Sequence, residues 1–183
     1  HLHGRAARRL ADRARSRRDA GTQAAAIGQH YLLAGHDAEA ATWLALAGDH
    51  ARGLYANAEA LAHFQAALAL GHGEPRRLHE AAGDMHTLLG AYAAALASYE
   101  TAAALCDPDS PTLAQIEHKL GNLHARRGEW PAAEAHFEAA LALLRGAGQP
   151  ALTGRILADA SLAAHAQGET TRAWAQAQEA LVA

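Results

Sequence analysis

Apolar residues, most of them Ala and Leu, fall in runs of helical length, and short turns carrying Gly, Pro or Asp break the runs. Ala and Leu lead the helix-propensity ranking, while the strand formers Val and Ile are nearly absent, so the chain is expected to be all-α. The pattern predicts ten helices, at about 2–18, 22–34, 37–53, 57–71, 75–89, 92–106, 111–127, 130–145, 150–167 and 170–182. They pair into five antiparallel hairpins, roughly 2–34, 37–71, 75–106, 111–145 and 150–182, forming one array over 1–183. The stretches Gly71–Pro75, Asp107–Pro111 and Gly146–Pro150 are boundaries, and Pro111 suits the first position of a helix.

Two phrases repeat at a constant offset of 38 residues: AGDMHTLLGAYAAALASYETAAAL (Ala82–Leu105) and LGNLHARRGEWPAAEAHFEAALALL (Leu120–Leu144). Gly83 aligns with Gly121, His86 with His124, Gly90 with Gly128, Ala95 with Ala133, Tyr99 with Phe137 and Ala102 with Ala140. The same frame returns upstream at Gly48, Ala60, Phe64 and Ala67, and again at Gly28, Gly35 and Ala40. Downstream it returns at Ala160, Gly168, Ala173, Ala177 and Ala180. Physically this describes a helical hairpin. A glycine in the first helix admits the second helix closely. Alanines seven apart keep one face of the second helix low, an aromatic fills the gap between them, and a glycine ends the first helix. A single hairpin cannot bury its own face, but a stack can. Gly28 and Gly48 are too close for two full repeats, so Glu39–Arg52 must serve as second helix of one hairpin and first helix of the next.

Leu120-Gly121, Ala133, Phe137, Ala140 and Leu141 resemble the signature of the tetratricopeptide repeat (TPR), most strongly over 76–145. Glu117 stands where that signature has Trp, His86 and His124 where it has Tyr, and Asp107 and Arg145 where it has Pro. The resemblance implies a right-handed superhelical solenoid of about five hairpins whose first helices line a concave groove. Here that groove presents Asp49 and Arg52; Arg77, Glu80, Asp84 and Thr87; Gln115, His118, Asn122 and Arg126; and Arg155 and His165. In peptide-binding members an Asn at the place of Asn122 clamps a peptide backbone or C-terminal carboxylate with basic residues around it. Arg126 and Arg155 supply part of that clamp, and no Lys stands where it would want one. A solvated polar face and a groove for an acidic or extended peptide are both open readings. Residues 21–70 also look like the start of the helical-repeat region of bacterial regulatory ATPases and LuxR-type transcriptional activators, whose repeats sense a ligand or partner. The implied function is a non-catalytic protein-interaction or regulatory module in the cytoplasm. Its partner would be a protein, a peptide or another domain of a parent chain. Self-assembly, or service to an active domain outside the segment, are the alternatives.

Charge adds one feature. The net charge is −3, yet residues 1–20 hold Arg5, Arg8, Arg9, Arg13, Arg15, Arg17 and Arg18 against Asp12 and Asp19. No aromatic is interleaved with these arginines, so they read as a solvated face or a domain junction before a nucleic-acid contact. The chain opens HLHGR without Met, which suggests a segment of a longer protein. No apolar run approaches the roughly 18 residues of a membrane helix, and the single cysteine, Cys106, excludes an internal disulfide. No phosphate-binding loop or nucleophile elbow occurs, so no cofactor or catalytic residue is implied. The histidine spacings, six between His118 and His124 and seven between His79 and His86, do not suit a metal. Trp43, Trp130 and Trp174 are expected in hairpin packing. An exposed Trp174 would mark a surface for a further repeat or a second copy.

Overall fold

A computed structural model of the chain describes residues 2–17 and 19–182; Arg18 and the side chain of Arg17 lie outside the described residues. These residues form ten α-helices: α1 (Leu2–Arg17), α2 (Ala20–Leu32), α3 (Asp37–Gly53), α4 (Asn57–Ala69), α5 (Pro75–Leu88), α6 (Tyr92–Ala104), α7 (Pro111–Arg126), α8 (Trp130–Leu143), α9 (Pro150–Ala166) and α10 (Thr170–Val182). The elements agree with those expected, except that α2 starts two residues earlier and several C-terminal ends are one or two residues shorter. Gly35, Gly90, Gly128 and Gly168 take positive φ just after α2, α5, α7 and α9, and stop each first helix there. Ser110 caps α7 by accepting a hydrogen bond from the Leu113 amide (3.2 Å), with Pro111 at the first helical position.

The chain divides into two compact units, residues 1–98 and 99–183. In the first, α3 packs on both α2 and α4, the double role expected of Glu39–Arg52. One core gathers Ala7, Ala11 and Ala14 of α1 with Ile27 and Tyr31 of α2 and Trp43 of α3. A second joins Leu44 and Ala45 of α3, Phe64 of α4, and Leu78, Ala81 and Met85 of α5. In the second unit, Ala133, Phe137 and Ala140 of α8 and Leu144 just after it meet Ile156, Ala160 and Ala163 of α9, with Trp130 packed at the edge.

The reason for the glycines in first helices is visible at two contacts. A Cβ on Gly48 would lie 2.5 Å from Cε1 of Phe64, and one on Gly121 would overlap the Phe137 ring and approach the Ala133 carbonyl oxygen to 3.1 Å. The aromatic fills space that only a glycine leaves free.

Candidate functional site

Helices α7 and α9 are the first helices of consecutive hairpins, and they lie side by side with α8 behind them. Their facing side chains carry the most organised polar cluster in the second unit. His118 is 4% exposed, the one buried polar residue among the described residues. Its ring rests on Phe137, centroids 5.9 Å apart, so the glycine that admits Phe137 also supports His118. The Nε2 of His118 lies 2.6 Å from Oδ2 of Asp159, and the Asn122 amide donates to the same oxygen at 3.0 Å. Nε2 must carry its proton to donate to a carboxylate. The 3.1 Å approach of Asn122 Nδ2 to that nitrogen is then a contact between two donors sharing one acceptor. Asp159 of α9 is therefore held by two side chains of α7. Burial, the largest single effect, raises its carboxyl pKa. The hydrogen bonds from His118 and Asn122 and the charges of His118 and Arg155 together outweigh it, leaving the pKa below its ordinary value.

Two cavities flank the cluster. One, about 370 Å³, is lined by Gln115, Lys119 and Asn122 of α7 and by Gln149, Leu152 and Arg155 near the start of α9; no carboxylate lines it. The other, about 500 Å³, lies on the far side of Asn122, against Asp159, Trp130, Leu162 and Arg126. Arg155 is exposed and has no hydrogen-bond or ion-pair partner among the described residues.

The residues expected to line a groove thus divide. Gln115, His118, Asn122, Arg126 and Arg155 come together in the second unit. His118 departs from expectation, because it sits behind the surface as a support. Arg77, Glu80 and Asp84 lie on α5 in the first unit. Arg77 is engaged twice, with Asp49 and Glu74 (both 3.0 Å), Arg76 holds Glu80 (3.0 Å), and Asp84 is half-buried. Asp159 was missed. Its signal is its place one turn beyond Arg155, on the same face of α9.

His124 and His136 act within their own hairpin, and His165 is exposed on α9. His124 stacks on His136 (centroids 5.1 Å), and they contact Glu129 and Glu117 respectively, each at 2.7 Å. Trp43 is buried beneath the Arg15 guanidinium, 5.3 Å from the ring centre. Trp174 departs from the packing role, since it is 67% exposed. Among the described residues no helix is long and apolar enough to cross a membrane.

No protein-family model matches the chain, and no curated protein matches it. Solved structures do. MamA is 18% identical with a TM-score of 0.77, over 98% of this chain and 90% of that one. BtubC (BKLC) from P. vanneervenii is 17% identical with a TM-score of 0.74, over 96% and 84%. YrrB, a TPR protein with an unusual peptide-binding site, is 19% identical with a TM-score of 0.73, over 94% and 82%. At these identities the likeness is one of architecture: helical hairpins in series, arranged as in solved repeat proteins. The chain has the tetratricopeptide-repeat fold.

Proposed function

We propose that the chain is a non-catalytic protein-interaction module that takes an extended segment of a partner protein, or of another domain of a parent chain, on the α7–α9 face. The observation that carries this reading is the pairing of a rigidly held Asp159 with an unpartnered Arg155 between two open cavities. Fixed polar groups beside vacant space are what a recognition surface needs, because little order is lost on binding. The peptide-binding site of YrrB, a protein of the same fold, supports the same reading. A sensor or scaffold role in a cytoplasmic bacterial transcriptional regulator or signalling ATPase is the setting that the resemblance of residues 21–70 supports. A peptide-array screen on the chain tests the reading. Capture that falls in both Asn122→Ala and Arg155→Ala supports it; capture indifferent to both, or none at all, contradicts it.

A second reading, self-assembly, rests on a different surface. Trp174, Leu162, Leu181 and Val182 are exposed on α9 and α10, and an open apolar groove of about 450 Å³ runs between Gly154, Ala158, Ala177, Ala180 and Leu181. Light scattering across a concentration series decides it: a mass that grows with concentration and reverts in Trp174→Ser supports self-assembly, and a constant monomer removes it.

A further inference from the structure

The cluster on α7 and α9 constrains the ligand more narrowly than "a peptide". Resting on the interaction reading above, we propose that this face selects an extended peptide bearing one acidic and one basic side chain two residues apart, the acid seated against Arg155 and the base against Asp159.

The electrostatic part comes from the cavities. The cavity at Arg155 has no carboxylate among its described lining residues, so an anionic group entering it meets a guanidinium and amides. The neighbouring cavity offers the Asp159 carboxylate, whose Oδ2 is occupied by His118 and Asn122, beside the indole of Trp130. A carboxylate next to an aromatic face suits an ammonium or guanidinium group. Arg126 shares this cavity, but it is exposed at the last turn of α7 with no partner among the described residues. A tethered surface chain can swing away, whereas Asp159, gripped by two side chains, cannot.

The spacing part comes from geometry. Arg155 and Asp159 are one turn apart on one face of α9, which separates their Cβ atoms by about 6 Å. In an extended peptide, residues i and i+2 project to the same side and lie about 6.6 Å apart. The two spacings match without distortion. A peptide with two acids in this register would press one against Asp159, and a peptide with two bases would press one against Arg155. Either mismatch sets like charges against each other. Asn122 sits between the two positions. Its amide nitrogen is already turned to Asp159, so a lone terminal carboxylate seated on Asn122 would face that carboxylate. The mixed-sign ligand avoids this clash.

The test uses the full chain and four fluorescein-labelled, end-blocked peptides in a Ser/Ala background, carrying Glu-x-Lys, Lys-x-Glu, Glu-x-Glu or Lys-x-Lys, titrated by fluorescence polarisation. One of the two mixed-sign orders should bind at least about tenfold tighter than either like-sign peptide, equivalent to about 1.4 kcal/mol. Arg155→Glu should shift preference to Lys-x-Lys, and because this side chain is exposed and unpartnered, the fold should be untouched. Asp159→Asn should abolish discrimination against Glu-x-Glu, with a thermal melt confirming that the helices remain docked. Arg126→Ala should strengthen mixed-sign binding. Like-sign peptides that bind as tightly as mixed ones overturn the selectivity and leave the interaction reading standing. So does failure of all four peptides while other array sequences are captured. No capture of any sequence overturns both.

Discussion

The hairpins α3–α4 and α7–α8 share one frame and make different use of it. Gly48, Ala60, Phe64 and Ala67 correspond one for one to Gly121, Ala133, Phe137 and Ala140, and all the alanines and aromatics are buried. In the same register Ala45 corresponds to His118, Asp49 to Asn122, and, on the following first helix, Arg77 to Arg155 and Ala81 to Asp159. In the first unit Ala45 and Ala81 disappear into one apolar core, and Asp49 and Arg77 neutralise each other at 3.0 Å. In the second unit the two alanines become a His–Asp hydrogen bond, and the acid of the ion pair becomes a neutral amide. The cation is left without a hydrogen bond or ion-pair contact among the described residues, and acts on Asp159 only through its charge. Exchanging three side chains around a shared arginine turns a self-satisfied face into one with charge to offer. The fold is carried by the positions the hairpins share, and the site by the positions where they differ.

The largest effect should come from attacking what they share. Gly121→Val and Gly48→Val should each destabilise by about 3 kcal/mol, since the new side chain meets an aromatic ring; urea titrations followed by circular dichroism measure this. A large loss in one variant alone would break the equivalence of the two hairpins.

Next comes the His–Asp exchange. His118→Ala, which copies the first unit's Ala45, should cost about 2 kcal/mol, because Asp159 stays charged and loses a donor. The loss should shrink when Asp159→Ala is added, as a double-mutant cycle would record.

The turns differ too. Where the other hairpins place glycine at positive φ, the α3–α4 turn has Tyr55 at φ 60°, 86% exposed. Tyr55→Gly should stabilise by about 1 kcal/mol and Gly128→Tyr should destabilise by a similar amount, read from thermal melts. Equal melting temperatures would mean that the tyrosine is held by more than its own backbone.

The smallest effect is one of pH. Burial lowers the pKa of His79 and His86 in the first unit from 6.5, so the folded state binds fewer protons than the unfolded chain there. Their contribution is complete above that value and is lost as pH falls through and below it. The pKa of Asp159 is lowered from 3.8, so its contribution holds above that value and is lost only as pH falls below it. Hydrogen exchange should show the first unit loosening slightly at a pH where α7 and α9 are still fully protected. Simultaneous loosening would contradict the assignment.

How much of this was legible in the sequence follows from what repeats. Gly121, Phe137, Ala133 and Gly128 recur in register, and a recurring pattern states both the hairpin and its stacking, so the helices were placed almost to the residue. That Gln115, Asn122, Arg126 and Arg155 share the first-helix face followed from knowing which helix comes first. Asp159 did not follow, because its importance depends on a contact with His118 across two helices, and nothing local marks a partner 41 residues away. His118 reads as a presented side chain for the same reason: it shares a helix face with Gln115 and Asn122, but the Phe137 ring beneath it and the Asp159 carboxylate beside it bury it.

The most direct test titrates the isotope-labelled chain with the mixed-sign peptide and follows backbone amide shifts. Shifts should concentrate at residues of α7 and α9 around Asn122, Arg155 and Asp159, and leave α3 and α5 unmoved, because Asp49 and Arg77 already satisfy each other there. Equal shifts around Asp49 and Arg77, or shifts confined to the first unit, would contradict the claim that the α7–α9 face has charge to offer where the α3–α5 face has none.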